Sequence, residues 1–248
     1  MDTQKLAWQS KLILLAVIPA ATILALWSIR AWLENGVIRV PAWSLALSAI
    51  LGLAAWATQS ATLAGAATGA ILCFNLMSSF AHNPYRPWDT FLAPVVALLL
   101  LTSLATRFGR TRKEQLGISE ARHGRGAAQV AANLGPAALM CTPAIPHWLY
   151  AQMPHQPHHS FIALAGAAAL AALAEAAADT VSSEIGQVLG GQPFLLTSFR
   201  RVPAGTDGAI SLAGTCAGTA AAMTIAAIGT LVLRGDLFTF ALSAAGGI

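Results

Sequence analysis

The sequence predicts an all-α, polytopic transmembrane helix bundle, and three observations predict it. Hydrophobic residues fill 56% of the 248 positions and charged ones only 10%, against about 25% charged in an ordinary soluble domain. Several windows reach the roughly 20 apolar residues that a bilayer-spanning helix requires. The alternating pattern of an outer-membrane strand appears nowhere in the chain. One integral membrane domain over 1–248 is therefore expected, with about seven spans.

The first span, 12–33, covers the whole of "LILLAVIPAATILALWSIRAW" after Lys5 and Lys11. Its length, and the lack of a small-residue cleavage site before a polar domain, mark it as a retained helix and not a signal peptide. Apolar runs then predict spans at 41–57, 61–80, 90–106, 128–149, 160–180 and 209–233, and "LFTFALSAAGGI" has the composition of the start of an eighth. Gly65 and Gly69 in the third span, and Gly214 and Gly218 in the seventh, form GxxxG pairs suited to close helix packing. Cys73, Cys141 and Cys216 sit in three separate apolar segments without a CxxC pairing, so neither a disulfide framework nor a zinc site is expected.

Basic residues flanking spans set orientation. With the N-terminus in the cytoplasm, that side receives Lys5, Lys11, Arg107, Arg110, Arg112, Lys113, Arg122, Arg125, Arg200 and Arg201, leaving Arg30, Arg39, Arg86 and Arg234 outside. The two long polar loops, 107–127 and 181–208, then face the cytoplasm, where chemistry is expected. The outer loop "AQMPHQPHHS" carries His155, His158 and His159 at a spacing that suits a metal, but it lies away from the other polar motifs and reads as an ordinary loop.

Three polar stretches interrupt the apolar background. In "TRFGRTRKEQLGISEARHGRGAAQVAANLG" a basic loop runs through Gly124 and Gly126 into the fifth span, so a helix start beside Arg122 and Arg125 would attract anions. Gln129 and Asn133 lie one turn apart on one face of that span, where polar side chains usually meet a partner or a cavity.

In "AAADTVSSEIG" Asp179 follows Glu175 by four residues, and Ser183 extends the same face. Glu184 would lie roughly opposite Glu175 on an unbroken helix, so those two converge only if the helix ends or kinks near 180–183. Carboxylates beside an anion-binding loop suggest a divalent cation shared with phosphate oxygens. In "LLTSFRRVPAGTDGAISLAGTCAG" an arginine pair precedes a turn whose Gly205 and Gly208 let backbone N–H groups approach a phosphate. No Gly-Lys-Ser/Thr follows, so it is not a Walker A loop.

Together, "TRFGRTRKEQLGISEARHGRGAAQVAANLG", "AAADTVSSEIG" and "RRVPAGTDGAISLAGTCAG" resemble, in order and spacing, the membrane family that contains plant phytyl-phosphate kinase. The likeness covers roughly 40–248, with its motifs in 102–218. It implies a CTP-dependent prenyl-phosphate kinase, related in type to dolichol kinase, that converts a lipid monophosphate to the diphosphate with Mg2+. It carries over Lys113, Arg122, Gly124, Arg125, Gln129 and Asn133 from the basic motif, and Asp179, Ser183 and Glu184 from the acidic one. From the third come Arg200, Arg201, Gly205, Thr206, Gly208 and Ser211. Glu175 lies outside the family pattern, and family members continue past the counterpart of "AAGGI" into a helix with an acidic Asp-Ser motif.

On this reading Asp179 and Glu184 hold magnesium, Asn133 joins them in catalysis, and the remaining carried-over residues bind the phosphates of nucleotide and acceptor. The isoprenoid tail lies between helices. The expected setting is the bacterial inner membrane with the site facing the cytoplasm. No nucleic-acid partner is expected, and a homo-oligomer is compatible with the reading. Two alternatives use the same residues: cytidylyl transfer to a lipid phosphate, and transport of a lipid phosphate or anion with Glu175 and Asp179 as proton-coupled acids.

Overall fold

A computed structural model describes residues 8–115, 124–153, 155–206 and 208–247. Ten α-helices account for most of them: α1 (Trp8–Glu34), α2 (Arg39–Ala57), α3 (Leu63–Ser79), α4 (Leu92–Arg107), α5 (Arg110–Gln115), α6 (Ala127–Met140), α7 (Ala144–Gln152), α8 (His158–Leu189), α9 (Leu212–Val232) and α10 (Leu237–Gly246). A single 3-10 turn, Pro87–Asp89, precedes α4, and β1 (Phe194–Leu195) pairs antiparallel with β2 (Ala209–Ile210) between α8 and α9. The all-α membrane bundle is the fold of this chain. Among the described residues α1, α2, α8 and α9 are long and apolar enough to cross a membrane, and α3, α4 and α10 are shorter apolar helices.

Two predicted elements come out differently. The span at 128–149 divides into α6 and α7, interrupted at Cys141, Thr142 and Pro143. Pro143 lacks an N–H, and its ring disfavours helical backbone in the residue before it. The span at 160–180 instead continues nine residues further, through Ser182, Ser183 and Glu184 to Leu189, and the helix does not end at 180–183. It ends at Gly190 and Gly191, the latter in the left-handed conformation at φ +60° that closes many helices.

Packing divides the chain into two compact units: Met1–Ala93 with Arg122–Ala169, and Pro94–Ala121 with Leu170–Ile248. In the first, α3 is the most deeply packed helix, with Leu72, Leu76, Met77 and Asn75 buried. Asn75 is held by its own amide, whose Nδ2 donates to the Ala21 carbonyl of α1 at 3.0 Å and to Ile71 at 3.2 Å. Such a bond joins helices where apolar burial alone gives little net attraction, lipid tails being as apolar as leucine.

In the second unit, α8 and α9 meet along small residues. A Cβ added to Gly218 would lie 2.8 Å from Ser182 Cβ and 2.9 Å from the Ala178 carbonyl. One added to Gly214 would meet the Ser182 carbonyl at 2.5 Å and Gly186 Cα at 3.1 Å. Ala178, Ser182 and Gly186 thus form a four-residue-spaced row on α8 against Gly214 and Gly218 on α9, the small-xxx-small geometry of membrane helices. This contact supports the helical overrun of α8, whose polar sequence reads locally as a loop.

Candidate functional site

Where α8 and α9 separate beyond the glycine seam, the hairpin segment that joins them closes a pocket of about 200 Å³. Ser182, Ser183, Gly186 and Gln187 of α8 form one wall. Gly205, Thr206 and Gly208 form another, and Ser211, Gly214 and Thr215 line the start of α9. The hairpin is stiffened by backbone bonds: Val202 N–H donates to Pro193 O at 2.8 Å, and Ala209 N–H to Thr206 O at 3.1 Å. Gly205 and Gly208 adopt φ of +88° and +74°, backbone that side-chain-bearing residues rarely take, so the turn depends on both glycines.

Ser211 caps α9, its hydroxyl accepting from Gly214 N–H at 3.1 Å. Five residues singled out from the sequence, Ser183, Gly205, Thr206, Gly208 and Ser211, are therefore brought together here. Sequence reasoning missed Ser182, Gln187 and Thr215. The signal for Ser182 and Gln187 was present in their spacing from Asp179, but they fell in a stretch assigned to a loop. The lining is neutral: hydroxyls, one amide and backbone, with no charged side chain among the described residues.

Asp179 lies one helical turn before Ser183 on the same face of α8 and is exposed, as is Glu175 one turn earlier. Glu184 behaves differently. It sits about 140° around the helix from Asp179, at 100° per residue, and its carboxylate accepts a hydrogen bond from Lys113 Nζ. Lys113 also donates to the Ala105 and Thr106 carbonyls, each at 3.3 Å. All three ammonium protons are used, and only 5% of the Lys113 side chain and 12% of Glu184's remain accessible. The lysine thus caps the C-terminal carbonyls of α4 and ties that corner to α8.

The corner itself requires Gly109, at φ +61°, where a Cβ would strike Val188 at 2.5 Å. The helix runs on through 180–183 and does not supply the end on which convergence of Glu175 and Glu184 depended. Arg200 and Arg201 are exposed, and neither has a carboxylate within 4.0 Å among the described residues.

Apart from Lys113, the described residues of the basic motif, from Gly124 on, belong to the other unit. Arg122 lies outside the described residues. Gly124 takes φ +71° where the chain presses against the segment before α3, a Cβ there meeting Gln59 O at 2.6 Å. The Arg125 backbone is pinned to that segment, its N–H donating to Ser60 O and its carbonyl accepting from Thr62 N–H, both at 3.0 Å. Gln129 Oε1 accepts from Gly126 N–H at 2.9 Å and so caps its own helix, and Asn133 is half-buried one turn on.

In the same unit His158 pairs with His147, Nε2 to Nδ1 at 3.2 Å. Among the described residues no group of three His, Cys, Asp or Glu is placed to hold a metal ion.

Fold and seam define a polytopic integral membrane protein with a polar pocket at the joined ends of two spanning helices. Residues 46–248 match the family model "Integral membrane protein DUF92", and the chain belongs to that family. It is 33% identical over 142 residues to an uncharacterized membrane protein of Synechocystis sp., covering 57% of this chain and 51% of the relative. It is 32% identical over 135 residues to protein VTE6, chloroplastic, of Arabidopsis thaliana, covering 54% of this chain and 38% of the relative. An uncharacterized membrane protein of Methanocaldococcus jannaschii is 43% identical over 79 residues, 32% of this chain and 33% of the relative. The matched stretch thus spans about half the length of the Synechocystis protein and less of the other two. No solved structure matches the chain.

Proposed function

We propose that the chain is a CTP-dependent prenyl-phosphate kinase, which passes the γ-phosphoryl group of CTP to an isoprenoid monophosphate at the cytoplasmic membrane face. One observation carries the reading. The serines of the acidic motif and the glycine turn, about 20 residues apart in sequence, line a single pocket rich in hydroxyls at the end of two spanning helices. The motif resemblance and the match to the plant protein VTE6 support the same activity.

Phosphoryl transfer to a phosphate acceptor needs little general-base help, because the attacking oxygen is already anionic; the task is to align two polyanions and offset their repulsion. In this proposal the hydroxyls of Ser183, Thr206 and Ser211, with the N–H groups of the Gly205 and Gly208 turn, hold phosphate oxygens in the pocket. Arg200 and Arg201 clamp the acceptor phosphate as it arrives from the membrane.

Magnesium, where it binds, neutralises charge on the nucleotide phosphates, and it typically takes only one or two carboxylates beside those phosphates. Exposed Asp179, with no ion pair among the described residues, fits that demand. Glu184 could join it only by exchanging Lys113 for the ion. The isoprenoid tail remains in the lipid phase, which accounts for embedding an enzyme that uses a water-soluble donor.

The test is CTP-dependent phosphorylation of phytyl or geranylgeranyl monophosphate by the purified chain and its Asp179→Asn variant. A loss of at least about 100-fold with unchanged thermal stability is expected, as for removal of a group that stabilises transition-state charge. Wild-type turnover in that variant would remove Asp179 from the mechanism.

A further inference from the structure

Helices α8 and α9 are both long and apolar enough to span a membrane, so the hairpin segment joining them lies at a membrane surface. Its tip is a tight turn, with Leu195 N–H donating to Arg200 O at 3.0 Å and Phe199 N–H to Leu195 O at 2.7 Å. Phe199 adopts φ +52°, the left-handed region that bulky residues rarely occupy and that persists where surrounding structure imposes it. In that conformation Phe199 is 77% exposed, and Leu196 nearby is 55% exposed. Arg200 and Arg201 follow directly, exposed and without a carboxylate partner among the described residues.

An aromatic and a leucine side by side, next to two guanidiniums with no carboxylate partner among the described residues, match the layered chemistry of a bilayer interface. Apolar side chains settle below the headgroups while cations remain among anionic phosphates. Water offers nothing to the first pair, and an apolar protein partner would have to desolvate the second.

We propose that the turn at 195–201 is an interfacial anchor that inserts Leu196 and Phe199 among the headgroups and binds anionic bilayer lipids through Arg200 and Arg201. The anchor fixes the pocket turn at the level where a lipid headgroup travels. It does not rest on the kinase reading: depth of insertion is measured without nucleotide, so either idea can fail alone.

The test uses the full chain in nanodiscs with Cys216→Ala, since Cys73 and Cys141 are buried, and a nitroxide on Phe199→Cys. Power-saturation EPR compares collisions with oxygen, which concentrates in the bilayer, and with a water-soluble nickel chelate. The anchor predicts oxygen-dominated collisions, and deeper placement when phosphatidylglycerol replaces phosphatidylcholine. With Phe199 intact, Arg200→Gln and Arg201→Gln should each lower retained phosphatidylglycerol about fivefold, the equivalent of roughly 1 kcal/mol per arginine. Nickel collisions typical of a water-exposed label would overturn the proposal. So would a label shielded from both reagents, which means a protein partner, or retention of phosphatidylglycerol indifferent to both arginines.

Discussion

Lys113 uses its three protons on Glu184 and on two carbonyls at the end of α4, so a residue expected to bind phosphate is engaged inside the protein. Removing one partner of a buried ion pair leaves an uncompensated charge. Lys113→Met or Glu184→Gln alone should therefore cost about 3–5 kcal/mol, while the double variant Lys113→Met with Glu184→Leu should recover most of it; denaturation of the three in one detergent checks this. Asp236 gives a pH prediction. Hydrogen bonds from the Thr239 N–H and hydroxyl, both 2.9 Å, hold its carboxyl below the usual carboxylate range at the start of α10. A group whose folded pKa is depressed stabilises above its unfolded value, and the contribution disappears as pH falls through the folded one. The protection of the Thr239 amide against hydrogen exchange, measured relative to its intrinsic rate at each pH, should fall in acid, and Asp236→Asn should flatten that dependence.

At the scale of elements, the α8–α9 seam separates glycines that matter from glycines that merely fit the pattern. Gly218→Ala forces a Cβ against Ser182 and the Ala178 carbonyl and should cost about 1–3 kcal/mol as overpacking. Gly69→Ala, where a Cβ would find only Val130 at 3.5 Å, should be close to neutral although it belongs to an equally regular GxxxG pair; thermal unfolding of the two variants side by side distinguishes them. This difference was not legible in the sequence, because spacing reports a row of small residues and says nothing of what faces it. The end of α8 was hidden for the same reason. Ser182, Ser183, Glu184 and Gln187 read locally as a polar loop, yet the packing of Gly186 against Gly214, of Gly190 against Ser211 and of Val188 against Gly109 carries α8 to Leu189. Pro143 marks the break after α6, but the apolar run on both sides hid it inside one predicted span. Gln129 was visible as a polar residue in a span, but its role as a cap depended on where α6 begins.

At the scale of the whole molecule, bulk composition and apolar runs were enough to identify a helical membrane protein, because those properties are set by the solvent the chain must match. Two of the three polar motifs, the acidic one and the glycine turn, supply five residues that line the pocket, whereas the membership of Ser182, Gln187 and Thr215 needed the folded seam. The most direct measurement is product identification by mass spectrometry with the purified chain, magnesium, CTP or ATP, and phytyl or geranylgeranyl monophosphate. The account predicts lipid-dependent CDP together with the prenyl diphosphate, and little product from ATP. Release of pyrophosphate with a CDP-linked lipid, or lipid binding without turnover of either nucleotide, would contradict it.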